Sequence, residues 1–153
     1  MRRKDLEVLD RERLVNVLDN CKVCRLGLAD EFPYIVPMNF GYEWGDHLTL
    51  YFHSAPRGRK LDLMRQNPKV AFEMDYDHRM VTGSTACRYS YRYSCLMGTG
   101  EVRFLEDEGE KLRALRLIMK QVTGTDDYVY DEPAVRSVAV FAVDALDVVG
   151  KIR

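Results

Sequence analysis

Residues 89–105 constrain this chain most: the run is β-rich from end to end and is interrupted only by Gly98 and Gly100. Glycine inside a strand marks a bulge or a tight bend, so the run predicts one long strand bent sharply around a barrel. The flanking pattern agrees. Residues 23–29 and 33–42 read as two strands joined across the Asp30-Glu31 turn, and Glu43-Trp44-Gly45-Asp46 as the next turn. Leu48, Leu50 and Phe52 then alternate with polar neighbours over residues 47–53, which predicts an antiparallel meander. Further strands are predicted at 70–74, 138–143 and 146–152. Between them, residues 75–88 lose apolar alternation and read as an exposed loop able to cover a ligand or a partner subunit.

Three helices punctuate the strands. Asp10 is a candidate cap for a helix whose inner face is Leu14, Val17, Leu18 and Cys21, spaced i, i+3, i+4 and i+7. A short helix over 58–66 is stopped by Asn67-Pro68, because proline disfavours helical geometry in the residue before it. Asp107 opens a third helix with Leu112, Leu115, Ile118 and Met119 inward and Gly124 at its end. At 153 residues and 46% hydrophobic content, such a chain can bury a sizeable core without staples. One domain over 1–153 is therefore expected.

Charge removes several function classes. Lys plus Arg number 23 against 24 Asp plus Glu, a net charge of -1, so no broad basic footprint for nucleic acid or an anionic membrane is present. The opening Met1-Arg2-Arg3-Lys4-Asp5 lacks the apolar run of a signal peptide and no later stretch is long enough to span a bilayer, so a cytoplasmic location is expected. Of Cys21, Cys24, Cys87 and Cys95, only the first two form a Cys-x-x-Cys pair. No second pair accompanies them, so neither a structural metal nor a disulfide is expected, and Cys21 and Cys24 read as small apolar groups.

Chemistry concentrates at residues 51–60, Tyr-Phe-His-Ser-Ala-Pro-Arg-Gly-Arg-Lys. A strand ends here in imidazole, hydroxyl and cationic groups just where a helix begins. The first N–H groups of a helix lack partners and its dipole favours an anion. Arg57, Arg59 and Lys60 add full charges, and the fork of Arg59 beside the mobile ammonium of Lys60 suits a phosphomonoester. Basic residues that are merely solvated at a surface helix are the plain alternative.

The succession Pro33-Tyr34-Ile35-Val36-Pro37-Met38-Asn39-Phe40, Tyr51-Phe52-His53-Ser54 with Gly58-Arg59-Lys60, and Asn67-Pro68-Lys69-Val70 resembles the flavin-binding split-barrel proteins related to pyridoxamine 5'-phosphate oxidase. Within that group it is most similar to the short nitroimidazole-resistance members, with Gly150-Lys151 near the end of the match. The resemblance implies a mainly β fold, a six-stranded antiparallel split barrel with flanking helices, forming a homodimer that holds FMN at the subunit interface. By carry-over, Arg59 and Lys60 match the phosphate ligands, and His53 and Ser54 the strand end that meets ribityl and phosphate oxygens. Tyr34, Ile35, Val36 and Asn39 match the strand beside the isoalloxazine. Tyr93 and Ser94 fall on the long strand that completes the site. Without the resemblance, Tyr34, Met38 and Phe40 read as ordinary core.

No catalytic residue is assigned; His53 is the one candidate. The oxidases' C-terminal Trp and Arg motifs are not matched, so vitamin B6 oxidation is not implied. No glycine fingerprint of a dinucleotide domain is present either, so an NAD(P)H donor would dock transiently. The implied activity is an FMN-dependent oxidoreductase reducing a small aromatic or nitro compound, with Tyr91, Arg92 and Tyr93 as candidates to line the open face. A flavin-nucleotide-binding protein that stores, senses or relays the cofactor needs the same contacts. A third reading exchanges the ligand for haem, with His47, His53 or His78 as axial candidates.

Overall fold

The computed structural model describes residues 2–153; Met1, the first residue of the charged opening segment, lies outside them. In chain order the elements are β1 (Glu7–Val8), α1 (Arg11–Asn20), β2 (Cys24–Leu28), β3 (Tyr34–Met38), β4 (Gly41–Trp44), β5 (Leu48–Ser54), α2 (Arg59–Gln66), β6 (Lys69–Val81), β7 (Ser90–Leu105), α3 (Glu108–Thr123), α4 (Glu132–Ser137) and β8 (Ala139–Ile152). The strands form one antiparallel sheet in the order β3-β2-β6-β7-β8-β5-β4, with β1 added to β8. β3 and β4 lie at opposite ends of that order, yet only Asn39 and Phe40 separate them in the chain. The sheet must therefore curl until its ends meet, which makes it a split barrel.

Strand alternation sorts side chains into two cores. Leu26, Phe52, Phe72 and Phe141 point into the barrel, and Phe40, Leu61 and Met64 pack with them. Tyr51, Val140 and Ala142 point the other way, onto Ala114 and Ile118 of α3. Both faces of β5 are thus covered, and Leu48 to Phe52 are all buried. Caps set the helix ends as the sequence predicts: Asp10 accepts from the Arg13 N–H at 3.0 Å and Asp107 from the Glu110 N–H at 2.9 Å, while Gly124 closes α3 in the left-handed conformation. Buried Gln121 ties α3 to α1, donating to the carbonyls of Leu18 at 2.6 Å and Cys21 at 2.7 Å.

Four expectations need correction. The strand predicted at 33–42 is two strands, β3 and β4, because Asn39-Phe40 carries the chain from one end of the sheet to the other. The strand predicted at 70–74 runs on to Val81, so the first half of the loop expected at 75–88 is a two-stranded ribbon with β7; residues 82–88, which include the short turn Ala86–Arg88, form its irregular tip. A ribbon projecting past the barrel is solvated on both faces and needs no apolar alternation, which is why its polarity reads as loop. Its register shifts at Asp77, which has φ 60°.

The strands predicted at 138–143 and 146–152 are one element, β8. The apparent break is a bulge: Thr99 pairs with Asp147 and Gly100 with Ala145, leaving Leu146 extra. The bend expected at Gly98 and Gly100 lies on the partner strand at the same place. Among the described residues the sheet accordingly has eight strands, β1 included, where the resemblance implies six. α4, over residues 132–137, was given no element by the sequence pattern.

Candidate functional site

β5 ends by sending neighbouring side chains to opposite faces. Ser54 is buried and its hydroxyl donates to the Ala55 carbonyl at 2.8 Å, whereas His53 is exposed on the side covered by α3 and α4. Gly58 then turns the chain at φ 143°, a conformation L side chains rarely adopt, and opens α2 with no side-chain cap. The Leu61 N–H already donates to the Gly58 carbonyl at 2.9 Å, so the Arg59 and Lys60 N–H groups are the ones this first turn keeps for an outside acceptor.

Arg59 reaches from that turn to the β2–β3 connection. Its Nη2 and Nε donate to Asp30 Oδ2 at 2.6 and 3.2 Å, and its guanidinium lies 4.7 Å from the Tyr34 ring centroid. The same pair holds the Asp30 carboxyl below its ordinary range. The sequence presents Asp30 only as a turn residue; an acid opposite a site cation is a signal that spacing does not carry. With the Arg59 side chain 60% exposed, this ion pair is worth at most about 1 kcal/mol and yields readily to a stronger anion. Half-buried Lys60 stands beside it, and Arg57 is exposed.

β3 is an edge strand. Tyr34, Val36 and Met38 lean on the barrel core while Ile35 is 65% exposed, and only β2 pairs with it, so one row of its N–H and C=O groups has no strand partner among the described residues. At its far end the Asn39 amide donates to the Lys22 carbonyl at 2.8 Å, which pins the α1–β2 link. The structure therefore brings Tyr34 and Arg59 into contact and sets Lys60, Ser54 and His53 on the elements that meet there.

Tyr93 and Ser94 are not part of that corner within one chain. Tyr34 shares a ladder row with Leu28, Val70 and Gly100, and position 94 lies about 20 Å further along β7 at the usual strand rise. Ser94 is buried there, and the Tyr93 ring lies 5.1 Å from Lys151 Nζ. Between the two regions the outer face of the barrel forms an open apolar groove of about 570 Å³, floored by Gly27, Ala71, Met97 and Val149 and edged by Ile35. Arg25 rims it, donating to Glu73 at 2.9 Å and Asp75 at 2.6 Å, and His78 Nε2 lies 2.6 Å from Asp75. Burial, then the neighbouring Asp75, pushes the Glu73 carboxyl up. Sequence reading missed this groove; its small outward residues, Gly27 and Ala71, were the available sign.

The three histidines do not converge: His47 and His53 sit at opposite ends of β5, about 20 Å apart at strand rise, and His78 is on the ribbon. Among the described residues no three His, Cys, Asp or Glu side chains gather as metal ligands, and no helix is long and apolar enough to cross a membrane. Cys21, Cys24 and Cys95 are buried, Cys87 is exposed, and all four are free.

Burial pushes the Cys21 thiol from 9.0 up to about 12, with Asp75 and Glu73 adding to it, and raises Cys24 for the same first reason. The Tyr51 hydroxyl rises from 10.0 to about 12 by burial and by its bond to Glu43. Above pH 9 the unfolded chain releases these protons while the folded chain keeps them. The unfolded state then binds fewer protons, so stability falls as pH rises from about 9 toward 12. Urea midpoints measured across that window should decline steadily; a flat profile would show that the thiols and phenol are hydrated in the folded protein.

A family model described as pyridoxamine 5'-phosphate oxidase matches residues 10–152, nearly the whole sheet and all four helices. The chain belongs to this family. A candidate 5-nitroimidazole antibiotic resistance protein from Bacteroides thetaiotaomicron superposes with a TM-score of 0.83 at 38% identity, over 95% of this chain and 86% of that one. A FAD-binding protein from Mesorhizobium loti superposes at 0.64 with 25% identity, over 97% and 99%. The flavocytochrome Anf3 from Azotobacter vinelandii, at 17% identity and 0.83 over 100% and 72%, shares the fold. An uncharacterized protein of Rhizobium meliloti (strain 1021) is 36% identical over 70 residues, which take in 45% of this chain and 44% of that protein. This member of the pyridoxamine 5'-phosphate oxidase family thus spans less than half of that curated relative.

Proposed function

We propose that the protein binds FMN between the subunits of a homodimer and works as an FMN-dependent oxidoreductase that passes electrons to a small aromatic or nitro compound. The observation that carries the reading is the junction of a cation corner with an open strand edge. Arg59, Lys60 and the uncapped first turn of α2 suit a phosphate, and the unpaired backbone row of β3 begins at Tyr34, against which Arg59 already packs. A flavin asks for that division: charge at its tail, backbone hydrogen bonds at its ring edge and an apolar slot between.

Flavin, when bound, supplies reversible uptake of a hydride or of single electrons. Arg59 and Lys60 would hold the phosphate, with Ser54 beneath the adjoining oxygens, while Tyr34, Ile35, Val36 and Asn39 border the ring; His53, turned to the opposite face of β5, drops out of that contact within one chain. Tyr93 and Ser94, about 20 Å away along the barrel, would join the site from a second copy. The apolar groove over β2, β6, β7 and β8 is a surface such a copy would cover. An NAD(P)H donor would meet the flavin transiently. The similarity to the Bacteroides and Mesorhizobium structures supports flavin chemistry and a nitro-aromatic acceptor.

The test is a yellow spectrum that survives gel filtration at the mass of a dimer, followed by anaerobic reduction with NADH or NADPH and addition of a nitroaromatic. Reoxidation faster than that of free FMN supports the enzyme. Flavin retained with no such turnover leaves a binding protein, and a Soret band in its place overturns the assignment.

A further inference from the structure

His53, on the face of β5 turned away from the cation corner, opens onto a separate cavity. It has a volume of about 290 Å³ and lies between the end of β5, α3, α4 and the segment that joins the two helices, with His53, Leu115, Ile118, Met119, Tyr130 and Val135 among its walls. The walls are mainly apolar, but His53, Tyr130 and Asp131 are polar residues among them. The His53 ring makes no hydrogen bond within the described residues, and the Tyr130 hydroxyl is buried with no partner. Asp131 spends Oδ2 on the Ala134 N–H at 3.0 Å and keeps Oδ1.

A buried hydroxyl left unsatisfied is uncommon in folded proteins and asks for a ligand that completes it. The cavity is of the order of the smallest small-molecule sites, about 300 Å³, far less than a tricycle with its ribityl phosphate needs. Asp126, Asp127, Asp131 and Glu132 on the covering segment outnumber the cations beside it, Arg116, whose guanidinium lies 5.2 Å from the Tyr130 ring centroid, and Arg136, which pairs with Glu108 and Glu132, so an anion is disfavoured inside. A flat neutral ring with donors and acceptors on its edge fits all three conditions.

We propose that this cavity binds a neutral nitrogen heterocycle of purine size, with the Tyr130 hydroxyl and the His53 imidazole as its hydrogen-bonding partners. The ring has two possible sources. It is either the adenosine end of a flavin dinucleotide extending past the phosphate corner and around the end of β5, which rests on the flavin reading above, or a free small heteroaromatic compound, which does not.

Titrations separate these sources. FMN and FAD are titrated into the wild type, Tyr130→Phe and Ala134→Trp, the last filling the cavity from α4 without touching the Asp131 cap bond, which is made by backbone. Adenosine and benzimidazole are titrated calorimetrically into flavin-free and FMN-saturated protein. With a dinucleotide source, FAD binds at least about tenfold tighter than FMN. That advantage vanishes in Ala134→Trp and shrinks about fivefold in Tyr130→Phe, the worth of one neutral hydrogen bond, while FMN affinity stays unchanged in both. With a free source, FAD and FMN bind alike and adenosine or benzimidazole binds the flavin-free protein, a signal abolished by Ala134→Trp. Benzimidazole binding without either flavin would sustain the cavity and sink the flavin reading. FMN binding with no FAD preference and no heat from either heterocycle would do the reverse, leaving the cavity to water.

Discussion

Replacing Arg59 and Lys60 together with alanine is expected to weaken FMN binding by about 100-fold or more and leave the fold intact. A hydrogen bond to a charged group contributes about 1.5–3 kcal/mol, so losing two such partners reaches or passes the 2.7 kcal/mol or so that about 100-fold represents. The native protein loses little in exchange: the Arg59–Asp30 pair is exposed, and the stacking on Tyr34 is a surface contact. Equilibrium titration followed by flavin fluorescence, with circular dichroism as the control for folding, gives the result directly. An unchanged affinity in a folded double variant would remove the phosphate corner from the site. Arg59→Lys should fall between, because an ammonium keeps the charge but neither the fork nor the flat face against Tyr34.

Gly41→Val is expected to lower folding stability by about 3 kcal/mol or more, the upper range for forcing atoms into a packed core. A Cβ at Gly41 would stand 2.5 Å from the Ile118 N and 2.7 Å from the Leu117 O, both backbone atoms of α3. Backbone in mid-helix cannot swing aside as a side chain can, so α3 must lift from β4 as a unit. Ile118 and Ala114 would leave their cluster with it, and Gln121 would be drawn off the Leu18 and Cys21 carbonyls. Urea denaturation measures the loss; a variant within about 1 kcal/mol of the parent would mean that α3 slides over the sheet without penalty.

Much of this architecture was open to reading because its signals are local. Asp10, Asp107 and Gly124 act within one helical turn of themselves, and Asn67-Pro68 stops α2 by sterics alone. Elements that depend on distant neighbours were harder. Asn39-Phe40 looks like the middle of a strand until β4 is seen to pair with β5, and Asp75 to Val81 looks like loop because both faces of the ribbon are wet. Leu146 breaks alternation in sequence but not in hydrogen bonding, since a bulge absorbs one residue. Within the candidate site, Arg59 and Tyr34 belong to separate sequence motifs and meet in space. The acid that orients Arg59, Asp30, was invisible because a turn carboxylate and a site carboxylate share one local pattern. Tyr130 was equally hidden, its unusual state arising from α3 and α4 closing over it.

One consequence follows from the order of the strands. The two margins of the sheet are successive in the chain and are stitched by the peptide bonds around Asn39 and Phe40, with no ladder between them. That seam is held by side chains in place of a ladder, with Phe40 fully buried in the barrel core on one side of it. Asn39 fastens the other side through its bond to the Lys22 carbonyl, so the edge of β3 is anchored by a residue that lies outside the cationic corner altogether.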